Sequence, residues 1–245
     1  MTDTITLFCF GPGFGLPELS PFCTKTEIQL KLAELPYRKE KATPDKSPKG
    51  QLPYIDDQGT RIADSHFIRA HLERKYGVDL DDGLTASERA QAWAIERMLE
   101  NHFLYALAYE RWLIPVNFER GPAHFFDDAP EATRDQLRED VKGRVTRRLF
   151  EVEMTRHSEA EIIELGERSL LALSALLGDR PYLMGERPTG IDAAAFGMLA
   201  AVLTPFFESP LRRKAETFPN LAAYTSRLMH QFFPRHAWGR VDAAA

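Results

Sequence analysis

Ser20-Pro21-Phe22-Cys23-Thr24-Lys25 stands at the head of an amphipathic stretch, just behind a strand-like run, Ile5-Thr6-Leu7-Phe8-Cys9-Phe10. Between them Gly11-Pro12-Gly13-Phe14-Gly15-Leu16-Pro17 cannot be helix, because its glycines and prolines break one. From Cys23 to Glu34 the apolar residues Ile28, Leu30, Leu32, Ala33 and Leu35 fit a helix packed on a sheet. A strand feeding a helix N-terminus makes a small anion or thiolate site, since the first backbone N–H groups are unpaired and carry the positive end of the helix dipole.

Working outward, Tyr37 to Lys41 reads as a second strand and Thr43 to Gly50 as loop. Leu52 to Asp56 and Gln58 to Ala63 read as a hairpin turning near Asp57-Gln58-Gly59. Asp64 or Ser65 caps the next helix, Ser65 to Tyr76, which stops at Gly77. The order is β-α-β-loop-β-β-α. A polar linker, Asp79 to Gly83, then leads into helices only. Ala86 to Trp112 reads as one long helical stretch, and residues 121–130 as a break. Leu137, Val141, Val145, Leu149 and Val152 form one apolar stripe on a charged helix. Glu159 to Leu177 is a helix, Gly190 to Leu203 a buried one, and Leu221 to Phe233 the last. Thr189-Gly190-Ile191-Asp192 has the form of a capping box.

A chain of 245 residues accommodates two domains sharing an interface. The net charge of −5 argues against a nucleic-acid partner, for which a basic face is expected. There is no apolar run long enough for a membrane span, and the polar start Met1 to Thr4 is unlike a secretory signal. Cys9 and Cys23 form no CxxC pair; two isolated cysteines fit a reducing cytoplasm without a structural disulfide. The seven histidines show no zinc-ligand spacing, so no metal ligands are assigned.

Leu19-Ser20-Pro21-Phe22-Cys23-Thr24-Lys25, Ser47-Pro48-Lys49-Gly50-Gln51-Leu52-Pro53-Tyr54-Ile55, Ile62-Ala63-Asp64-Ser65 and Leu72 to Leu80 resemble the cytosolic glutathione transferase superfamily. Within it the likeness is to the failed-axon-connections and metaxin-like branch, and Arg97-Met98-Leu99-Glu100, Tyr109-Glu110-Arg111-Trp112 and Phe218-Pro219-Asn220-Leu221 extend it. The resemblance implies an α/β thioredoxin-like, glutathione-binding domain over 1–80 and an all-α helical-bundle domain over 86–245. It also implies glutathione as co-substrate, a small hydrophobic electrophile as partner, and a homodimer.

The resemblance gives Ser20 the role of hydrogen-bonding the glutathione sulfur, which matters because the thiolate is the nucleophile and a thiol near pKa 8–9 is mostly protonated at pH 7. The alternative for Ser20 is a plain helix cap. Cys23, a turn into the helix, reads as structural, with mixed-disulfide exchange the competing role. The resemblance implies a cis Leu52–Pro53 bond that turns the Leu52 backbone toward the ligand; a trans edge proline is the alternative. Asp64 and Ser65 match the pair that holds the γ-glutamyl group, or else are caps. Lys46 or Lys49 is expected to take the glycyl carboxylate. Tyr105, Tyr109 and Trp112 fall on one helical face and line an apolar co-substrate pocket, unless they are core. The loop from Gly11 to Leu19 exceeds the tight turn usual in active transferases and is expected to fold over the site. Two functions follow: an enzyme that activates glutathione for attack on an electrophile, or a non-catalytic interaction protein on the same scaffold.

Overall fold

The N-terminal part of the chain builds a four-stranded sheet from strands whose faces are unequally covered. In the computed structural model, which describes residues 4–238, strands β1 (Ile5–Cys9), β2 (Tyr37–Lys41), β3 (Tyr54–Asp57) and β4 (Thr60–Ala63) lie in the order β2-β1-β3-β4. β1 runs parallel to β2 and antiparallel to β3, and β3 pairs antiparallel with β4 across the Gln58-Gly59 turn. The β1–β2 connection is helix α1 (Pro21–Leu32), as a parallel pair requires a crossover. Helix α2 (Ser65–Tyr76) closes the unit and ends on Gly77 in the left-handed conformation. Asp57 ties the hairpin to α2, accepting from His71, Tyr76 and Lys75.

α1 starts two residues before the expected Cys23, because Pro21 suits the first helical position, where its missing N–H costs nothing. It stops at Leu32 rather than Glu34, which has a positive φ of 55°.

The rest of the chain is helical: α3 (Ala86–Met98), α4 (Leu104–Trp112), α5 (Pro115–Arg120), α6 (Glu131–Glu151), α7 (Glu159–Leu177), α8 (Gly190–Leu203), α9 (Pro210–Glu216) and α10 (Pro219–Phe232). The expected long helical stretch from Ala86 to Trp112 is helical throughout, with a π turn over Leu99–Phe103 between α3 and α4. The apolar stripe on α6 is shorter than expected. Leu149 is buried and Val145 packs on the core, but Leu137 and Val152 are exposed.

α8 runs through the middle of this half, buried on nearly all sides. Asp192 anchors its first turn, accepting from the Thr189 amide and hydroxyl, the Leu183 amide and the Tyr224 hydroxyl. Four donors satisfy a carboxylate that would otherwise be costly to bury.

The two halves meet where α1 crosses α8. Ile28 of α1 belongs to the helical core, whereas Cys23 and Leu30 belong to the core under the sheet. The linker is packed between them: Asp81 is buried, pairs with Arg69 at 2.6 Å and accepts from the Gly190 amide. Among the described residues no helix is long and apolar enough to cross a membrane.

Candidate active site

Between the halves lies a cleft of about 530 Å³. From the first half it is lined by Leu52 and Pro53 at the head of β3, by Asp64, Ser65 and His66 at the start of α2, and by Phe22 of α1. The Leu52–Pro53 bond is cis. Leu52 precedes the first ladder residue, Tyr54, so its backbone groups lie beyond the sheet at the mouth of the cleft. Asp64, at φ 80°, caps α2 by accepting from the His66 amide at 2.9 Å. Ser65 is buried at the first helical position. Capping by Asp64 and facing the cleft are therefore not exclusive.

The helical half contributes Trp93, Arg97, Glu100, Asn101, Leu104 and Tyr105. These come from α3, the π turn and the start of α4. A π turn widens the helix locally and re-aims the side chains after it. Glu100, Asn101, Leu104 and Tyr105 share one wall across this turn, at the spacing of a helical face. Behind this wall Glu96 and Glu100 meet Lys25, whose ammonium lies 3.2 and 2.7 Å away, and Arg97 reaches both carboxylates. Burial works to raise the pKa of Glu96, but Lys25 and Arg97 override it and hold the carboxyl below its usual range.

Ser20 is the N-cap residue of α1, yet its side chain makes no capping hydrogen bond. It does not line the large cleft. It lines a second cavity of about 180 Å³, with Arg111 and Trp112 of α4. The start of α1 thus serves both spaces, Phe22 facing one and Ser20 the other. The three aromatics expected to share a pocket are divided. Tyr105 lines the cleft, Trp112 the second cavity, and Tyr109 neither; its hydroxyl lies 3.5 Å from Glu159. Helical spacing put them on one face, but the two cavities open at different heights along it.

The Gly11–Leu19 loop does not cover the large cleft. It turns back through a Gly13–Leu16 bridge and docks on the helical half, where Thr204 donates to the Phe14 carbonyl at 2.6 Å. The Phe14 ring packs against Phe125, Phe206 and Phe207. Lys46 and Lys49 do not reach the cleft lining; Lys49 lies 3.8 Å over the Phe67 ring, and Gln51 is the residue of that loop which does reach it.

The cysteines are not isolated. Cys9 and Cys23 are both buried, and their sulfurs lie with a Glu18 carboxylate oxygen within 4.8 Å of one another. Hydrogen bonding to Cys23 and burial push the Cys9 thiol far above its ordinary range. Burial pushes Glu18 up to about 7 against the pull of Lys39, whose ammonium is 3.3 Å away, and of the Gly11 amide. A Cys9 held as the thiol and an ammonium already beside Glu18 make a polar knot and a poor cation site. Sequence spacing gave no sign of it, because β1 and α1 become neighbours only in the fold.

A thioredoxin-like sheet, a cis proline at the head of β3, a cleft onto α2 and an all-helical second half define a two-domain glutathione transferase fold. A family model for the glutathione S-transferase N-terminal domain matches residues 21–117, and one for the C-terminal domain matches 166–228. The chain is 35% identical over 245 residues to failed axon connections of Drosophila melanogaster, covering 95% of this chain and 59% of that protein. It is 30% identical over 235 residues to the isoprene-epoxide–glutathione S-transferase of Rhodococcus sp. (strain AD45), covering 93% of this chain and 99% of that one. Metaxin-1 of Sus scrofa is 27% identical, covering 96% of this chain and 77% of that protein. Among solved structures, β-etherase LigF from Sphingobium sp. strain SYK-6 superposes with a TM-score of 0.67 at 16% identity, covering 96% of this chain and 100% of that one. The chain belongs to the glutathione S-transferase superfamily and is related to failed axon connections and the metaxins.

Proposed function

We propose that this protein binds reduced glutathione in the cleft between its halves, with the thiol reaching across the start of α1 to Ser20, which activates it for attack on a small electrophile. The observation that carries this reading is the cleft itself, which gathers Leu52, Pro53, Asp64 and Ser65 at the N-terminus of α2. The helix N-terminus and Ser65 take the γ-glutamyl carboxylate, and Asp64 takes its ammonium. The Leu52 backbone pairs with the cysteinyl unit as an added strand. Gln51 donates to the glycyl carboxylate, in place of either lysine of that loop.

The Ser20 hydroxyl, free of capping duty at the positive end of α1, donates to the thiolate and lowers its pKa. Likeness at nearly full length to an isoprene-epoxide–glutathione S-transferase supports the enzymatic half of this reading. Likeness to failed axon connections favours the second reading, a non-catalytic interaction protein on the same scaffold. The protein is read as a homodimer in the cytoplasm in both cases.

Calorimetric titration with reduced glutathione decides between the readings. Saturable binding in the micromolar-to-millimolar range supports a working thiol site. Absence of heat, with no thermal shift at high millimolar ligand, leaves the interaction protein.

A further inference from the structure

The second cavity is lined by a buried arginine whose guanidinium is left with an unpartnered donor. Arg111 is only 8% exposed, and its described polar contact is one hydrogen bond, Nη2 to the Ala201 carbonyl at 2.6 Å. Its Nε has no hydrogen-bond partner, and no carboxylate pairs with its guanidinium among the described residues. Glu110, beside it in sequence, is turned to the Ser209 hydroxyl and the Leu211 amide. The Phe207 and Phe14 rings, edge to face with each other, lie on one side of the guanidinium group with their centroids at 5.0 and 5.8 Å. A guanidinium offers five N–H donors, and a buried cation that no anion hydrogen-bonds directly is costly. Burial draws Arg111 down to about 10, against the nearby Glu110 carboxylate, which works to raise it.

The remaining walls define the shape of what would answer that charge. Phe10, Phe14, Trp112 and Phe125 surround the space, and Ser20 opens onto it. Its volume of about 180 Å³ slightly exceeds the roughly 150 Å³ of a cavity that holds benzene. One ring with small substituents matches this volume.

We infer that this cavity binds a planar aromatic molecule bearing a carboxylate or comparable oxyanion, with the ring between the aromatic walls and the anion on Arg111. The inference deepens the transferase reading by naming the acceptor class, and rests on that reading only for the transfer step. Ring and anion bind whether or not glutathione is present. Ser20 lines the same cavity, so an acceptor held there lies beside the thiol that Ser20 activates.

The test is calorimetric titration of the full chain, without glutathione, with 4-chloro-3-nitrobenzoate and separately with 4-chloro-3-nitrobenzamide. The two probes have closely similar shape and differ in charge. The acid is expected to bind roughly tenfold or more tightly than the amide, the scale of a charge-assisted hydrogen bond. Arg111→Met is expected to bring the two to parity, and Arg111→Lys to keep part of the preference. Equal affinities in the unmodified protein, or an acid preference that survives in Arg111→Met, overturn the inference. Should Arg111→Met not fold, Ser20→Leu fills the same cavity from the end of α1 and is expected to block the acid; undiminished binding overturns it equally. Acid binding without glutathione binding sinks the transferase reading and leaves this one standing, and the reverse result sinks this one alone.

Discussion

The Lys25 ammonium on α1 lies 2.7 Å from the Glu100 carboxylate on the π turn, and both side chains are almost wholly buried. The pair joins the two halves directly behind the cleft, and Glu96 and Arg97 complete it. Lys25→Met leaves two buried carboxylates sharing one guanidinium, and is expected to cost about 3–5 kcal/mol. Glu100→Gln keeps an acceptor for Lys25, which also retains Glu96, and is expected to cost about 1–2 kcal/mol. Urea unfolding of both variants checks the order. A smaller loss for Lys25→Met than for Glu100→Gln means that water reaches the cluster.

Ser20 and Ser65 are expected to separate chemistry from binding. Ser20→Ala is expected to lower kcat about a hundredfold, as loss of a donor to a developing or stable anion does. Glutathione affinity should hold, and the pKa of the bound thiol, followed by its ultraviolet thiolate absorbance, should rise. Ser65→Ala removes a contact made equally in ground and transition states, so KM is expected to rise about tenfold with kcat kept. Matching signatures in the two variants would falsify the division of roles.

Much of this architecture is legible in the residues themselves. Gly77 and the Thr189–Asp192 box each impose a local geometry, and both terminate or start the elements they mark. The π turn is not legible, because Leu99 to Phe103 keep an ordinary apolar spacing and the extra residue shows only in the backbone. Arg111 escaped notice for a related reason. Nothing in the spacing of Tyr109-Glu110-Arg111-Trp112 marks the arginine as buried, because Phe14, which comes close to it, belongs to the distant Gly11–Leu19 loop. Cys9, Glu18 and Cys23 likewise meet only through the β1–α1 packing.

Glu18 gives the protein a pH dependence of its own. Burial raises its folded-state pKa from 4.5 to about 7, so the folded protein holds this proton more tightly than the unfolded chain does. The stabilisation is therefore fully present below about pH 4.5 and is lost as the pH rises through about 7. Its size is roughly 3 kcal/mol by the linkage relation. Glu18→Gln keeps an acceptor for the Gly11 amide and removes the titration. The difference in unfolding free energy between the two proteins should shift in favour of Glu18→Gln between pH 5 and pH 8, by denaturant titration at each pH. A difference that stays flat over that range means the carboxylate is already ionised at the lower pH.

Gly197 of α8 faces the Pro21 carbonyl so closely that a Cβ there would stand 2.6 Å from the oxygen. That oxygen belongs to the backbone of α1 and cannot rotate aside, so Gly197→Ala must push the two helices apart. Alanine gains about 1 kcal/mol over glycine in helix propensity, and overpacking typically costs about 1–3 kcal/mol. The net effect is expected to be destabilising. Gly143→Ala, on α6 where no atom lies within 4 Å, isolates the propensity gain and should be stabilising by up to about 1 kcal/mol. Opposite shifts in Tm for one substitution at two sites report the close crossing. The crossing also sets the position of Ser20, the residue before Pro21. Gly197→Ala is therefore expected to lower kcat with the Ser65 end of the cleft, and hence KM, little changed. A parallel rise in KM would show instead that α1 and α2 move together.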